Sequence, residues 1–289
     1  DGAWEPSSPA GLQERVELVA WDLGSEHGIP ARARQQIERF APDWIFHLAA
    51  ISVPHDCGSD RPTPQATAVN VEGTRRLLEL AASLGGRPRL LFTSSSHVYA
   101  PVDPGSPRVD ERAPLGPIGG YGRTKLAAEK EVCLAVEQHG CDAMIARSFQ
   151  HTGPRQNARM MLPQWAEQFA RPGTAPVEVY TRDAQIDLAD VRDVVRAYRL
   201  LAEQGRRGAV YNVGSGISLG TGDVLDLLRQ VADPKRPIVE LHPGFKQDPI
   251  ADVARLVRAT GWRAEIPLEQ TVADTLAWWR KQVSQRDRL

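Results

Sequence analysis

The chain has 289 residues, a length that fits two domains, and its 42% apolar and 25% charged residues exclude a disordered polymer. Thirty-five basic residues face 36 acidic ones, a formal net charge of −1, so nothing in the balance points to nucleic acid or to an anionic membrane surface. No apolar run reaches the ~18 residues of a membrane span. Cys57, Cys133 and Cys141 are odd in number and lack metal-ligand spacing, which reads as reduced thiols and no metal. With no recognisable secretory signal, a cytoplasmic location is expected.

In chain order, the β-branched run 16–21 (Val-Glu-Leu-Val-Ala-Trp) predicts a first strand, and 30–40 a helix with proline in its first turn. Residues 43–50 (DWIFHLAA) are apolar on both faces, as in a buried parallel strand. Leu77, Leu80, Ala81 and Leu84 recur at helical spacing before Gly85-Gly86. A strand over 90–93 breaks into Ser94-Ser95-Ser96, a helix over 121–139 is closed by Gly140, and a strand follows over 143–148. The second half predicts helices over 190–204, 222–232 and 268–283, with a strand over 209–215 between the first two. Strands alternating with helices of this length make right-handed βαβ units and a parallel sheet. The fold class is α/β, with two packed halves and a cleft between them for a small ligand.

Tyr121 and Lys125 stand at i, i+4 at the start of a helix, which places both side chains on one face. A lysine ammonium beside a phenol favours the phenolate and brings its pKa down from about 10, making tyrosine a usable general acid/base. The chain uses 30 arginines and only 5 lysines, so a lysine here stands out from generic surface charge. Upstream, a serine cluster ends a parallel strand, where open α/β sheets bind ligands. One of those hydroxyls could hydrogen-bond a substrate oxygen; the cluster reads equally as a turn or helix N-cap. His55-Asp56-Cys57 makes no closed metal site and reads as loop polarity. Trp278-Trp279 covers the core or joins a dimer interface, and the Arg206-Arg207 and Arg286-Asp287-Arg288 clusters read as solvated charge.

Phe92-Thr-Ser-Ser-Ser-His-Val-Tyr99 followed by Tyr121-Gly-Arg-Thr-Lys125-Leu-Ala-Ala-Glu129 resembles the active site of the extended short-chain dehydrogenase/reductases. Further matches in family order are 47–50 (HLAA), 70–74 (NVEGT), 147–154 (RSFQHTGP), 190–194 (DVRDV), 211–216 (YNVGSG) and 260–262 (TGW). The stretch FQHTGPRQ with Leu162-Pro163 resembles most the GDP-4-keto-6-deoxy-mannose reductases and their GDP-mannose 4,6-dehydratase relatives. The resemblance implies a Rossmann-type doubly wound sheet over 1–155, with 176–220 partly returning to it, and a smaller α/β substrate domain over 156–289. It implies NADP(H) or NAD(H) as cofactor, a nucleotide-diphosphate sugar as substrate, and a homodimer through the helices that hold Asn70 and Tyr121.

Residue by residue, it implies Ser95, Tyr121 and Lys125 as catalytic, Lys125 also holding the nicotinamide ribose. Asp22 and Leu23 fall beside the adenine, while Leu48, Ala49, Ala50, Asn70, Thr93, Phe149 and His151 complete the cofactor site. On the substrate side it implies Gln150, a Leu162 backbone contact, and His97 as a donor or as polar filler. Dehydratases of the family carry an acid at the position of His97, often preceded by another; the pair Ser96-His97 argues against water elimination. The usual diphosphate-binding arginine before Asp187 is replaced by Ile186, leaving Arg182 as a substitute. The segment 246–252 looks short for the loop that normally supplies a substrate arginine.

A dinucleotide-binding chain needs a glycine-rich turn between its first strand and helix. Gly116, Gly119 and Gly122 imitate one, but they follow a proline-rich loop and surround Tyr121; Gly214-Ser-Gly216 follows a strand in the wrong half. The chain starts Asp1-Gly-Ala-Trp4 without an initiator methionine, and the expectation is ~20–40 further residues upstream, the size of a βα unit. A native protein found by mass spectrometry to start at Asp1 would contradict it. The function expected is a nucleotide-sugar 4-ketoreductase; a 4-epimerase with tightly held NAD, or a non-catalytic NAD(P)-binding regulator, are the alternatives.

Overall fold

The computed structural model describes residues 15–286. In chain order the elements are α1 (Ala31–Phe40), β1 (Trp44–His47), α2 (Pro64–Thr67), α3 (Gly73–Ser83), β2 (Arg89–Ser95), β3 (Arg108–Val109), α4 (Gly120–Gln138), β4 (Ala143–Ser148) and β5 (Gln150–Thr152). There follow α5 (Met161–Ala170), β6 (Val177–Val179), β7 (Ala184–Asp190), α6 (Val191–Gln204), β8 (Val210–Val213), β9 (Ser218–Gly220), α7 (Thr221–Ala232), β10 (Ile238–Glu240), β11 (Lys246–Gln247), β12 (Ile250–Ala251), α8 (Ala254–Thr260) and α9 (Leu268–Arg286). Strands and helices alternate as expected for the α/β class. A four-stranded sheet has the order β1-β2-β4-β8, and β1 pairs with β2 in parallel from Trp44↔Arg89 to His47↔Phe92.

The chain divides into two compact units. One comprises Gly119–Ile145 with the described residues up to Phe92; the other comprises Thr93–Ile118 and the chain from Ala146 onward. In the first, α3 buries Leu78, Leu80 and Ala81 while Arg75 pairs at the surface with Glu72 and Glu79, the division that an amphipathic period dictates. A π-helical turn (Ala68–Glu72) joins α2 to α3 and turns Asn70 inward. The Asn70 amide then works as a strap. Its Oδ1 accepts the Ile51 N–H at 2.8 Å, and its Nδ2 donates to Ile51 O and to Thr124 Oγ1, each at 3.0 Å.

Three sequence expectations in this unit are corrected. Residues 16–21 are irregular, with Val16 and Leu18 exposed: β-branched composition makes no strand without a ladder to join, and none is available to it among the described residues. The expected buried strand over 43–50 shrinks to β1, whose Trp44 and Phe46 share one face and are exposed, because the described residues do not cover that face. Pro30 is the N-cap of α1 rather than part of its first turn.

The second unit is built around β7. β5 joins it in parallel (Gln150↔Leu188), β11 in parallel (Lys246↔Ala184) and β9 antiparallel (Ile186↔Leu219). Ile186 and Leu188 on β7 share a core with Trp165 of α5, Leu225 of α7 and Trp279 of α9. Trp278 packs edge-on against Trp279 with ring centroids 4.7 Å apart, so the tryptophan pair does cover this core. Arg286 pairs with Glu167 at 3.1 Å and lies over the Trp279 ring; Asp287 and Arg288 lie outside the described residues, as do Asp1–Trp4. No described helix is long and apolar enough to cross a membrane.

His47 shows how tightly the first unit is packed. Thr74 Oγ1 donates to Asn70 O at 2.7 Å, so the 2.8 Å contact between Thr74 Oγ1 and the His47 ring requires a hydrogen on Nε2. Burial, aided by the Lys125 charge, lowers the His47 pKa to about 4. Because the folded value lies below the unfolded 6.5, the stability it contributes is present above pH 6.5 and is lost as the pH falls through 4. We expect the His47 ring to titrate near 4 by NMR, and roughly 3 kcal/mol of unfolding free energy to disappear across that window. In His47→Gln this part of the pH dependence should be absent. A second expectation concerns Gly120, whose N–H donates to Gly58 O at 3.0 Å. A Cβ there would overlap the backbone carbonyls of Cys57 and Gly58, so Gly120→Ala should lower stability by about 1–3 kcal/mol in urea unfolding.

Candidate active site

The first unit carries Tyr121 and Lys125. α4 starts at Gly120, where close approach to the 57–58 backbone leaves no room for a side chain, and this seats Tyr121 in its first turn. Thr124 Oγ1 donates to Tyr121 O at 2.8 Å and itself accepts from Asn70, so the turn bearing the tyrosine is tied to Asn70. Lys125 is only 3% exposed, its Nζ 5.1 Å from the Phe92 ring centroid and 6.0 Å from that of Tyr121. The i, i+4 geometry expected from the sequence is present. Desolvation lowers the Lys125 pKa to about 8, opposed by the Glu129 carboxylate, so the ammonium persists at neutral pH but is poised to lose its proton. Cys57 is fully buried, its thiol pushed up by burial and its Sγ donating to Ile51 O at 3.2 Å.

Past the carboxyl end of β1, Leu48 and Ala49 are exposed, and the Asn70 strap holds the backbone at Ile51. The Asn70 amide is thus engaged in placing the 48–51 segment and α4. Leu23 sits against Gly73, and its carbonyl accepts from Arg76 at 3.1 Å; Asp22 is exposed and caps the Gly24 N–H at 2.9 Å.

The second unit carries the serine cluster. Ser95 ends β2 and caps the 3₁₀ turn Ser96–Val98: its Oγ accepts the His97 N–H at 3.2 Å and lies 3.2 Å from His97 Nδ1. The N-cap reading of the cluster therefore holds for Ser95. The His97 ring is exposed at one side. Desolvation lowers its proton affinity, Asp248 raises it and Lys246 lowers it. Gln150 on β5 donates to Asp248 Oδ2 at 2.7 Å, and Lys246 reaches Asp248 Oδ1 at 2.9 Å. Gln150 Oε1 is buried and accepts no hydrogen bond from the described residues.

His151 holds its ring by a 2.9 Å contact from Nδ1 to Phe149 O and is kept neutral by burial; Phe149 is buried beside the Tyr99 ring. The Tyr198 phenol faces Ser148 Oγ at 2.5 Å and the Thr93 hydroxyl. Leu162 is a core residue of α5, which leaves only its backbone for a ligand. Arg182 pairs with Asp226 at 3.3 Å and is partly exposed. Sequence reasoning missed Lys246 and Asp248 as members of this group. No spacing signals them, since it is pairing with β7 that brings residue 248 to Gln150: the Asp248 N–H donates to Gln185 O at 2.9 Å, next to the β11–β7 register.

The chain matches the NAD dependent epimerase/dehydratase family over residues 7–214. It is 32% identical to a GDP-6-deoxy-D-mannose reductase of Pseudomonas aeruginosa over 252 residues, 84% of this chain and 82% of that one. It is 28% identical to a dTDP-glucose 4,6-dehydratase of Streptomyces griseus, covering 83% of this chain and 72% of that one. To a UDP-glucose 4-epimerase of Mycolicibacterium smegmatis it is 29% identical, covering 92% and 84%. Among solved structures, RMD from Pseudomonas aeruginosa complexed with NADPH superposes with a TM-score of 0.81 at 29% identity, over 91% of this chain and 88% of that one. UDP-glucose 4-epimerase of Thermus thermophilus with NAD gives 0.80 at 23% identity over 94% and 86%, a likeness of fold.

The residues fit such a cofactor on the side described. An open apolar ledge at the carboxyl end of a parallel strand suits a nicotinamide ring, and a buried, still-charged lysine one turn after a tyrosine suits its ribose and the reacting oxygen. Fold, motif order and relatives agree: the chain belongs to the NAD-dependent epimerase/dehydratase family, the extended short-chain dehydrogenase/reductases that modify nucleotide sugars.

Proposed function

We propose that the protein is an NAD(P)H-dependent nucleotide-sugar 4-ketoreductase whose substrate is an NDP-4-keto-6-deoxyhexose, with GDP, the nucleotide in the reductase relative's name, as the NDP. The observation that carries this reading is the buried Lys125 ammonium 6.0 Å from the ring of Tyr121. Bound NAD(P)H supplies the hydride. Tyr121 gives its proton to the C4 oxygen, the Lys125 charge sustains the acidity of the phenol, and Ser95 orients the carbonyl by hydrogen bonding. Leu48, Ala49 and Ala50, with Asn70 behind them, and Thr93, Phe149 and His151 line the cofactor; Asp22 and Leu23 lie at its adenine end.

On the substrate side, the buried Gln150 Oε1 supports a hydrogen bond from a sugar hydroxyl, since a buried acceptor left unpaired costs about 1–3 kcal/mol. His97 and the Leu162 backbone complete that wall, and Arg182 meets the diphosphate if it leaves Asp226. A reductase needs no acid at position 97, and the one carboxylate acting on His97, Asp248, is held by Lys246 and Gln150 rather than poised to eliminate water. A homodimer through the helices of Asn70 and Tyr121, in the cytoplasm, belongs to the same reading. The 29% identical epimerase favours the second reading, a 4-epimerase using the same three residues with retained NAD.

With the natural full-length protein, GDP-4-keto-6-deoxy-mannose should consume NADPH or NADH stoichiometrically, read from the absorbance of the reduced nicotinamide. A changed sugar by NMR without that loss would establish the epimerase, and no change in either would refute both. Tyr121→Phe should lower kcat by about 10²–10⁴-fold. The Lys125 pKa near 8 is lowered from 10.5, so kcat/KM should fall as the pH rises through 8; a profile flat to pH 10 would contradict the role of Lys125.

A further inference from the structure

Gln150 and Asp248 belong to segments on opposite edges of β7: β5 pairs with one edge and β11 with the other. The central strand therefore fixes both. The Asp248 N–H donates to Gln185 O at 2.9 Å, and three residues further on the Ala251 N–H donates to Asp187 at 3.0 Å. The two side chains meet at 2.7 Å, Gln150 Nε2 against Asp248 Oδ2. Lys246 Nζ lies 2.9 Å from Asp248 Oδ1 and 3.2 Å from Oδ2.

A side-chain amide has a donor end and an acceptor end, and by itself it can turn either outward. Beside an ionised carboxylate it has no such choice. The carboxylate only accepts, so the NH₂ faces Asp248 and the carbonyl is turned away. Contact of the Lys246 ammonium with both oxygens favours that ionised form. The consequence is visible at the other end of the amide, where Gln150 Oε1 is buried and accepts no hydrogen bond from the described residues.

We infer that Asp248 is a positioning residue that sets the polarity of Gln150: with its NH₂ spent on the carboxylate, Gln150 meets the substrate only as an acceptor, and the group it selects is a sugar hydroxyl. The inference rests on the substrate contact of Gln150 proposed above. It also narrows the substrate class. A carboxylate or phosphate oxygen brings no hydrogen to Gln150 Oε1, and the Lys246 charge beside it is already engaged by Asp248, so this part of the site discriminates against an anionic sugar substituent.

Exchanging the two polar groups tests this. In the natural full-length protein with oxidised cofactor bound, calorimetric titration with GDP-mannose should give a Kd about tenfold weaker in Gln150→Glu, where two carboxylates face each other. Asp248→Asn, which frees the Gln150 amide to turn, should weaken it about twofold to fivefold. Combining them should bring the Kd back to within about threefold of wild type, because the introduced amide donates to the introduced carboxylate, which still offers an acceptor to the hydroxyl. A double variant as weak as Gln150→Glu overturns the inference, and so do single variants that bind like wild type. If Gln150→Glu does not fold, Gln150→Met, which has no acceptor oxygen, should weaken binding about tenfold, and adding Asp248→Asn should cost nothing further; an equal added loss overturns the inference. With the 4-keto sugar nucleotide, KM should follow the same order while kcat stays within about threefold. A wild type that reduces no such substrate while the Kd order holds refutes the proposed reaction and leaves the role of Asp248 standing; a wild type that binds no sugar nucleotide overturns both.

Discussion

Removing the Lys125 ammonium from water is the constraint around which the first unit is arranged. An isolated buried cation is costly, and the neighbourhood shows how this one is accommodated. Two aromatic rings, Phe92 and Tyr121, offer their electron-rich faces, and the Glu129 carboxylate favours the charge. Holding those groups in place demands rigid neighbours. The close approach of Gly120 to the 57–58 backbone and the Asn70 bonds to Ile51 and Thr124 supply that rigidity. The same burial brings its proton affinity down to about 8, low enough to be felt at alkaline pH yet high enough for the ammonium to persist at neutral pH.

Most of the family motifs outside the proposed chemistry turn out to be polar cross-ties. Tyr99 donates to Asn212 Oδ1 at 2.6 Å, and Arg147 donates to both Tyr99 and the Glu111 carbonyl, linking β4, β8 and the segment after β2 in the second unit. Asp190 caps α6, pairs with Arg192 and accepts from Thr271 of α9 at 2.7 Å. Asp193 receives the N–H groups of Glu265 and Ile266, while Trp262 donates to its carbonyl. Buried polar groups with all partners present specify one arrangement more strictly than apolar contact does. This is a physical reason for those residue types to recur in a fixed order.

How much the sequence revealed follows from the range of the forces involved. Helices α3, α4, α6 and α7 and strand β4 were legible because their apolar period and terminal glycines or caps are local. The Tyr121–Lys125 pair was legible because a helix converts spacing directly into proximity. The 16–21 run was misread because strand formation requires a ladder that composition does not encode. The exposure of Trp44 and Phe46 was hidden because what covers a sheet face is not encoded in the strand itself. Lys246 and Asp248 were silent because two-residue pairing with β7, nearly a hundred positions from Gln150 in the chain, is what puts them beside it.

Asp187 on β7 bears on how such a site can change over generations. Its buried carboxylate accepts from the Ser215 N–H and hydroxyl, the Gly216 N–H and the Ala251 N–H, all at 2.7–3.0 Å. One side chain thereby clamps the turn after β8 and the strand β12 to β7, independent of what the chain does in between. Substitutions, insertions or deletions in the exposed stretch between β10 and β11 can be absorbed upstream of that clamp, leaving β12 in register. The fold thus separates an exposed stretch from the frame that must stay fixed.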